Sequence, residues 1–258
     1  MADSLAGVVL AAGAGTRLRP LTLLRPKALC PVGPAPLVDH ALERVAAATP
    51  SVAVNVHAGR DAMVAHLDGR AHLSLEAPVA LGTAGALGAL RDWIAGRPVL
   101  VTNADAWLPG GLGPLLGGWD GERMRLLCVD DPARGDFGRR RYAGACLLPW
   151  TAVRDLPAEP LGLYEARWGA AAADGRLDFA DTTATFVDCG TPADYLAANL
   201  DWSGGRPVVG EGASVQGTVV RSVVWPGARV VEGEVLVDAV RAGRTVTVLV
   251  RRTGPGGR

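Results

Sequence analysis

The apolar run Gly7-Val8-Val9-Leu10 passes directly into Ala11-Ala12-Gly13-Ala14-Gly15-Thr16-Arg17-Leu18-Arg19-Pro20, and Arg25-Pro26-Lys27 follows. This junction, an apolar strand emptying into a loop of small residues, constrains the chain more than any other segment. Gly13 and Gly15 can take positive φ and carry no Cβ, so backbone N–H groups can close on a phosphate. Arg17 offers a planar fork for phosphate oxygens and Lys27 a compact point charge. The stretch therefore reads as a triphosphate-handling loop. The plainer alternative is a glycine turn after a buried strand, with two surface cations.

Two familiar glycine loops do not fit. A dinucleotide fingerprint needs G-x-G-x-x-G, and Leu18 occupies the position of its third glycine. A Walker loop ends in G-K-[ST], and no such tripeptide follows. What the residues spell is G-x-G-T-R-x-x-P-x-T followed by P-K. This resembles the signature of the sugar-1-phosphate nucleotidyltransferases, and Val54-Asn55-Val56-His57 is similar to the wording of their mannose-1-phosphate guanylyltransferase-like members. Relatives acting on other acceptors usually lack the segment that reads Arg17-Leu18-Arg19-Pro20-Leu21-Thr22 here; a non-sugar phosphate such as phosphocholine stays open as acceptor.

The pattern downstream agrees. Strands are expected at Leu5–Leu10, Val52–Val56, His72–Leu75, Pro98–Thr102, Arg125–Val129, Tyr142–Leu148 and Ala184–Asp188. Helices are expected from Pro36, taken as a first-turn proline, at Asp61–Leu67, Gly82–Ile94 and Leu161–Ala173, and at Pro192–Leu200 behind the capping residue Thr191. Such alternation predicts an α/β fold: a Rossmann-like, doubly wound, mostly parallel sheet, of the nucleotide-diphospho-sugar transferase type by the resemblance. Ligands of such sheets sit beyond the carboxyl ends of the strands, where the 11–17 loop, Asp105 and Asp188 all fall. After Asp201 short valine pairs recur about every six residues between glycines, the punctuation of a hexapeptide repeat. The expected division is a catalytic domain over 1–203, a small left-handed β-helix-like tail over 204–253 and a disordered end over 254–258. A meandering β-extension is the alternative for the tail.

Composition narrows the partners. The 258 residues carry a formal net charge of +0, which gives no case for nucleic acid or an anionic membrane, and the chain has no apolar run of bilayer length. The N-terminus lacks the basic flank of a secretory leader and carries Asp3, so a cytoplasmic protein is expected. Cys30, Cys128, Cys146 and Cys189 show no C-x-x-C, and His40, His57, His66 and His72 no metal-ligand spacing. They read as structural residues.

The resemblance implies magnesium-dependent transfer of a nucleoside monophosphate from a nucleoside triphosphate to a sugar 1-phosphate, with pyrophosphate released. It places Leu10, Ala11, Ala12, Gly13, Gly15 and Thr16 around the nucleotide, with Gly82 and Thr83 of Leu81-Gly82-Thr83-Ala84-Gly85 at the base. That wording is nearest to guanylyl- and thymidylyl-transferring members, although the acidic residue often placed just before it reads Val79-Ala80 here. Arg17 and Lys27 are the implied catalytic cations, and Asp105 and Asp188 the implied magnesium ligands, the latter within Val187-Asp188-Cys189-Gly190-Thr191. Asn103 and Gly144 would lie against the sugar. The chain departs from the pattern at Ala104, where glycine is usual, and in lacking the hairpin whose glutamate–lysine–proline motif grips the sugar phosphate. Phe137-Gly138-Arg139-Arg140-Arg141 crosses that gap instead. Arg139 and Arg141 are expected to replace the lysine, because guanidinium forks suit phosphate; an ordinary basic loop is the alternative. The missing motif also leaves room for a catalytically silent, nucleotide-sugar-binding regulatory paralogue. A homo-oligomer is compatible with the valine-rich tail around Trp225, though no single patch commits to it.

Overall fold

The structure, a computed structural model, describes residues 5–243 and 246–250. Contacts group the chain into two compact units. One runs to Ala14 and resumes over Val38–Phe186; the other comprises Gly15–Leu37 and the chain from Val187. This grouping differs from the boundary expected at 203/204. The expected disordered end at 254–258 lies outside the described residues.

The first unit is built on a seven-stranded sheet. Its strands are β1 (Ala6–Leu10), β2 (Val52–Val56), β3 (His72–Leu75), β4 (Val99–Asn103), β5 (Met124–Asp130), β6 (Arg140–Leu148) and β7 (Leu177–Asp181), in spatial order β7-β5-β6-β4-β1-β2-β3. Pairings are parallel except at β6, which runs antiparallel to both β4 and β5. β1 is central: Val8 pairs with Ala53 on one side and Val101 on the other, and all three are fully buried. That double neighbour is why its sequence is apolar without alternation. Val8, Val101, Leu126, Leu148, Leu87 and Ile94 belong to one buried cluster. Each such side chain contributes about 1.5–3 kcal/mol of transfer free energy. The strand order turns outward on either side of β1, so a crevice forms beyond the carboxyl ends of β1 and β4.

The helices α1 (Leu37–Ala46), α2 (Arg60–Leu67) and α3 (Gly82–Ala89) form near the expected positions. Pro36, expected to open α1, instead pairs with Pro31 in a short antiparallel strand pair, so α1 starts at Leu37. The helix expected to continue to Ile94 breaks at Leu90, and Arg91–Ile94 forms a separate turn. The helix expected over Leu161–Ala173 begins only at Tyr164, as a π-turn to Trp168 followed by Gly169–Ala173. β7 is a strand the sequence pattern does not announce: Asp178 and Asp181 interrupt its pattern, as suits a sheet edge that must not pair further. The strand expected over Ala184–Asp188 shrinks to Val187–Asp188, because the Thr182 hydroxyl accepts from the Ala184 N–H (3.1 Å) and holds a turn there.

In the second unit, helix α4 (Pro192–Ser203) starts with Pro192 at its first position, and the Thr191 hydroxyl accepts from the Asp194 N–H at 3.2 Å. Tyr195 and Asn199 of this helix are buried. The Tyr195 hydroxyl donates to the Pro31 carbonyl and accepts from the Trp225 indole N–H (2.9 Å), while Asn199 accepts from Gly33 N–H (3.1 Å). The tail forms three short parallel ladders. Val208–Val209 pairs with Val223–Val224 and that with Val240 and Arg241; Ser214–Val215 pairs with Arg229–Val230; Thr218–Val220 pairs with Val235–Val237. The chain visits the ladders in rotation and returns from Val208 to Val223 to Val240. Val246–Leu249 then folds back antiparallel on Ala239–Ala242. Arg221 forks onto Asp238 (2.8 and 2.6 Å) and Arg241 pairs with Glu234, so these tail cations are neutralised within the tail.

The cysteines are free and buried, in line with the structural reading. His57 Nδ1 lies 3.1 Å from the Glu76 carbonyl oxygen.

Candidate active site

The first unit contributes a cleft of about 220 Å³ lined by Leu10, Ala12, Gly13, Asn55, Ala80, Gly82, Thr83, Asn103 and Asp105. It opens at the crevice beyond β1 and β4. Five of the residues expected at a nucleotide, Leu10, Ala12, Gly13, Gly82 and Thr83, therefore line one cleft with Asn103 and Asp105. Gly13 does not adopt positive φ, contrary to expectation. A Cβ there would meet nothing within 4 Å, so what the glycine supplies is open space beside the backbone.

The turn after β4 is held from two sides. The Ala104 N–H donates to the Leu10 carbonyl (2.9 Å), and Arg44 of α1 donates to the Ala106 carbonyl (3.2 Å). Ala104, where the resemblance led us to expect glycine, is buried, so its methyl group is accommodated there. Gly144 sits in a bulge of β6. Leu126 pairs with Cys146 but Cys128 with Tyr142, and Gly144 takes φ 75° with its carbonyl accepting from the Thr102 hydroxyl at 3.2 Å. A Cβ on Gly144 would lie 2.9 Å from Ala106 Cβ and 3.7 Å from Asn103 Cβ, so Asn103 and Gly144 are brought together as expected.

Two residues complete this half: Asn55, which the sequence reading named only within Val54-Asn55-Val56-His57 and with no role, and Glu76, which it did not single out. The Asn55 Oδ1 accepts from the Ala11 N–H (2.7 Å), and its Nδ2 donates to Glu76 Oε1 (2.8 Å). Glu76 Oε2 accepts from the Leu81 N–H at 2.7 Å, and both side chains are about 2% exposed. Glu76, five positions before Leu81 in the chain, thus brings a carboxylate onto the backbone at the start of this segment. Spacing alone gave no signal for it. Ala11, also expected at the nucleotide, spends its N–H on Asn55. Thr83 Oγ1 accepts from Leu163 N–H (2.7 Å), which anchors the start of α3.

The arginine run does not present free cations. Arg139 forks onto Asp130 (2.9 and 2.6 Å) and Arg140 onto Asp181 (2.8 Å for both bonds). Bonding to Arg140 holds the Asp181 carboxyl below its ordinary range. Arg141 is the most sheltered, its side chain 17% exposed, 3.4 Å from Asp131 and stacked over Phe186 at 5.1 Å.

The second unit contributes a charge cluster. Gly15 takes φ 61°, with Lys27 Cβ 2.8 Å and Thr22 Cγ2 2.9 Å from where its own Cβ would be, so the loop closes only around glycine. The turn Thr16–Leu18 then carries Arg17, and Lys27 starts the turn Lys27–Leu29. Asp188 lies 3.7 Å from Arg17 Nη2 and 3.6 Å from Lys27 Nζ. Gly190 makes this possible: a Cβ there would lie 2.9 Å from the Arg17 guanidinium and 3.2 Å from the Asp188 carboxylate. Arg17 is largely exposed while the Lys27 side chain is only 8% exposed, an open cation beside a sheltered one. Two cations on one carboxylate are suited to gathering phosphate oxygens.

Residues 6–117 match the nucleotidyl transferase family. The chain is 32% identical to an N-acetylmuramate α-1-phosphate uridylyltransferase of Caulobacter vibrioides, over 74% of this chain and 94% of that protein. It is 26% identical to a mannose-1-phosphate guanylyltransferase of Mycobacterium tuberculosis, over 97% and 77% respectively. Among solved structures, one described as a mannose-1-phosphate geranyltransferase of Thermus thermophilus shares the fold with a TM-score of 0.71 at 18% identity, over 95% of each chain. HddC of Yersinia pseudotuberculosis, complexed with GMP-PN, does so with a TM-score of 0.63 at 20% identity, over 78% of this chain and 100% of that one. The loop after β1, the cleft it lines and near-complete alignment with a transferase above 30% identity converge: the chain belongs to the sugar-1-phosphate nucleotidyltransferases.

Proposed function

We propose that the chain transfers UMP from UTP to an N-acetylated sugar 1-phosphate. The supporting observation is the 32% identity to a uridylyltransferase that acts on N-acetylmuramate α-1-phosphate and that this chain spans almost completely. A second reading, guanylyl transfer to mannose 1-phosphate, draws on the relative aligned over 97% of the chain and on the wording of the Leu81–Leu87 segment.

In either case the sugar-phosphate oxygen attacks the α-phosphorus in line, and pyrophosphate leaves; the protein positions the groups and neutralises charge. In this reading the base lies by Ala80–Thr83 and the phosphates run past Gly13 towards Gly15 and Thr16. Arg17 stabilises charge developing on the transferring phosphate, and Lys27 holds the leaving pyrophosphate. Asn103 and Gly144 bound the sugar, with Arg141 at its phosphate and Arg139 at the rim. Magnesium is assigned to Asp105 and Asp188. The donor chemistry fits. Among the described residues no group of three or more His, Cys, Asp or Glu side chains forms a cage, and magnesium favours one or two carboxylates with substrate oxygens and waters. When bound, it would neutralise phosphate charge. The tail ladders are read as a left-handed, hexapeptide-type β-helix that supports a homo-oligomer. No helix among the described residues is long and apolar enough to cross a membrane, and we place the protein in the cytoplasm.

The test is pyrophosphate release with magnesium across UTP, GTP, dTTP, ATP and CTP against N-acetylated and plain sugar 1-phosphates. The expected result is highest kcat/KM in the UTP row with an N-acetylated sugar, and with that pair Arg141→Ala should raise the KM of the sugar 1-phosphate alone. A preference for GTP with mannose 1-phosphate would move the assignment to the second reading.

A further inference from the structure

The bond Ala11 N–H to Asn55, the bond Asn55 to Glu76 and the bond Leu81 N–H to Glu76 form one buried chain from the phosphate loop to the base turn. Both ends are backbone donors that cannot accept. Between them stand one amide, which has a donor end and an acceptor end, and one carboxylate, which only accepts. The chain is satisfied because it contains one amide and one ionised carboxylate, and this fixes the orientation of the Asn55 amide. Asn55 lines the cleft between Gly13 and Gly82, so the two backbone segments expected around the nucleotide are tied through it.

We propose that Asn55 and Glu76 are positioning residues for the nucleoside triphosphate, setting the separation of the phosphate loop and the base turn through the polarity of this hydrogen-bond chain. The inference rests on the nucleotide reading of the cleft. It makes a parity prediction that packing alone does not. Glu76→Gln leaves two amides between two donors, and one donor–donor conflict persists however either amide flips. Asn55→Asp places two carboxylates face to face, which is satisfied only while they share a proton. The double variant Asn55→Asp with Glu76→Gln is satisfied again: the carboxylate now at position 55 accepts from Ala11 N–H and from the new amide at position 76, whose oxygen accepts from Leu81 N–H.

The experiment measures KM for the triphosphate and for the sugar 1-phosphate, with thermal melting, for the wild type, both single variants and the double, between pH 5.5 and 8.5. The triphosphate is the one that gives highest wild-type turnover. An unsatisfied buried donor sets the scale, so Glu76→Gln should raise KM for the triphosphate by about ten- to a hundredfold at every pH, with the KM of the sugar phosphate moving far less. Asn55→Asp should match the wild type closely at low pH and worsen relative to it as pH rises and the shared proton is lost. Among the described residues, Arg60 and His57 are the charged or titratable groups bonded to Glu76, both on its carbonyl oxygen. They are present in every variant, and because the double variant keeps one carboxylate in the chain as the wild type does, it is the charge-matched comparison for the two singles.

The double variant should return to within a few-fold of wild type, and it carries the test even if Glu76→Gln does not fold. Loss of melting temperature with an unchanged triphosphate KM would overturn the proposal. So would a folded double variant that binds triphosphate poorly. A wild-type protein that turns over no triphosphate would instead refute the nucleotide reading itself.

Discussion

Replacing Asp188 by asparagine is expected to lower kcat by at least about a hundredfold, the scale on which single stabilising groups at a reacting centre act. Arg17 and Lys27 both approach the Asp188 carboxylate, at 3.7 and 3.6 Å. Asparagine keeps the shape, so the Gly190 turn beside it and the Thr191 cap that follows should form as before. Melting should therefore shift by only a few degrees, and the loss should fall on kcat more than on the KM of the triphosphate. Activity within fivefold of wild type would remove Asp188 from the chemistry.

The second large effect is on stability. Gly85→Val should destabilise the protein by about 3 kcal/mol, the upper end of overpacking costs, and lower Tm by roughly 6–12 °C. Helix α3 presents Gly82, Gly85 and Gly88 to the backbone of the 156–161 segment. A Cβ at these positions would lie 2.7 Å from the Leu161 carbonyl oxygen, 2.0 Å from that of Glu159 and 2.3 Å from that of Pro157. Those are backbone atoms, and they are held: Ala84 N–H donates to the Leu161 carbonyl (2.9 Å) and Leu161 N–H to the Leu81 carbonyl (3.0 Å). An unchanged melting temperature would show that this segment yields more readily than its hydrogen bonds imply.

The same helix shows how far the sequence could be read. Gly82-Thr83-Ala84-Gly85 was legible as a segment near the nucleotide, and Gly82 and Thr83 do line the cleft. That two further glycines at a spacing of three serve close packing could not be read, because the partner is the backbone of a distant loop. The strand at 6–10 was legible because continuous burial leaves a continuous apolar signal, and the loop that follows was legible from its glycines and cations. β7 was not, since an edge strand carries charge and loses its alternation.

The site divides in the same way. Arg17, Lys27 and Asp188 were legible from local motifs, and the structure brings them into one cluster. The Asn55–Glu76 chain joins β2, the segment after β3 and the loop after β1, and no local spacing encodes such a junction. Of the arginine run, the three adjacent cations were legible, but not that Asp130, Asp131 and Asp181 each pair with one of them, since those carboxylates come from other parts of the sheet edge.

The most direct test of the transfer itself is to follow the phosphorus. With a triphosphate labelled at the α-phosphorus, and in parallel at the γ-phosphorus, products would be separated after incubation with sugar 1-phosphate and magnesium. The account predicts that α-label appears in the nucleotide sugar and γ-label in pyrophosphate, both lost in Asp188→Asn. Transfer of γ-label to the sugar phosphate, or release of α-label as free nucleotide with no nucleotide sugar formed, would contradict it.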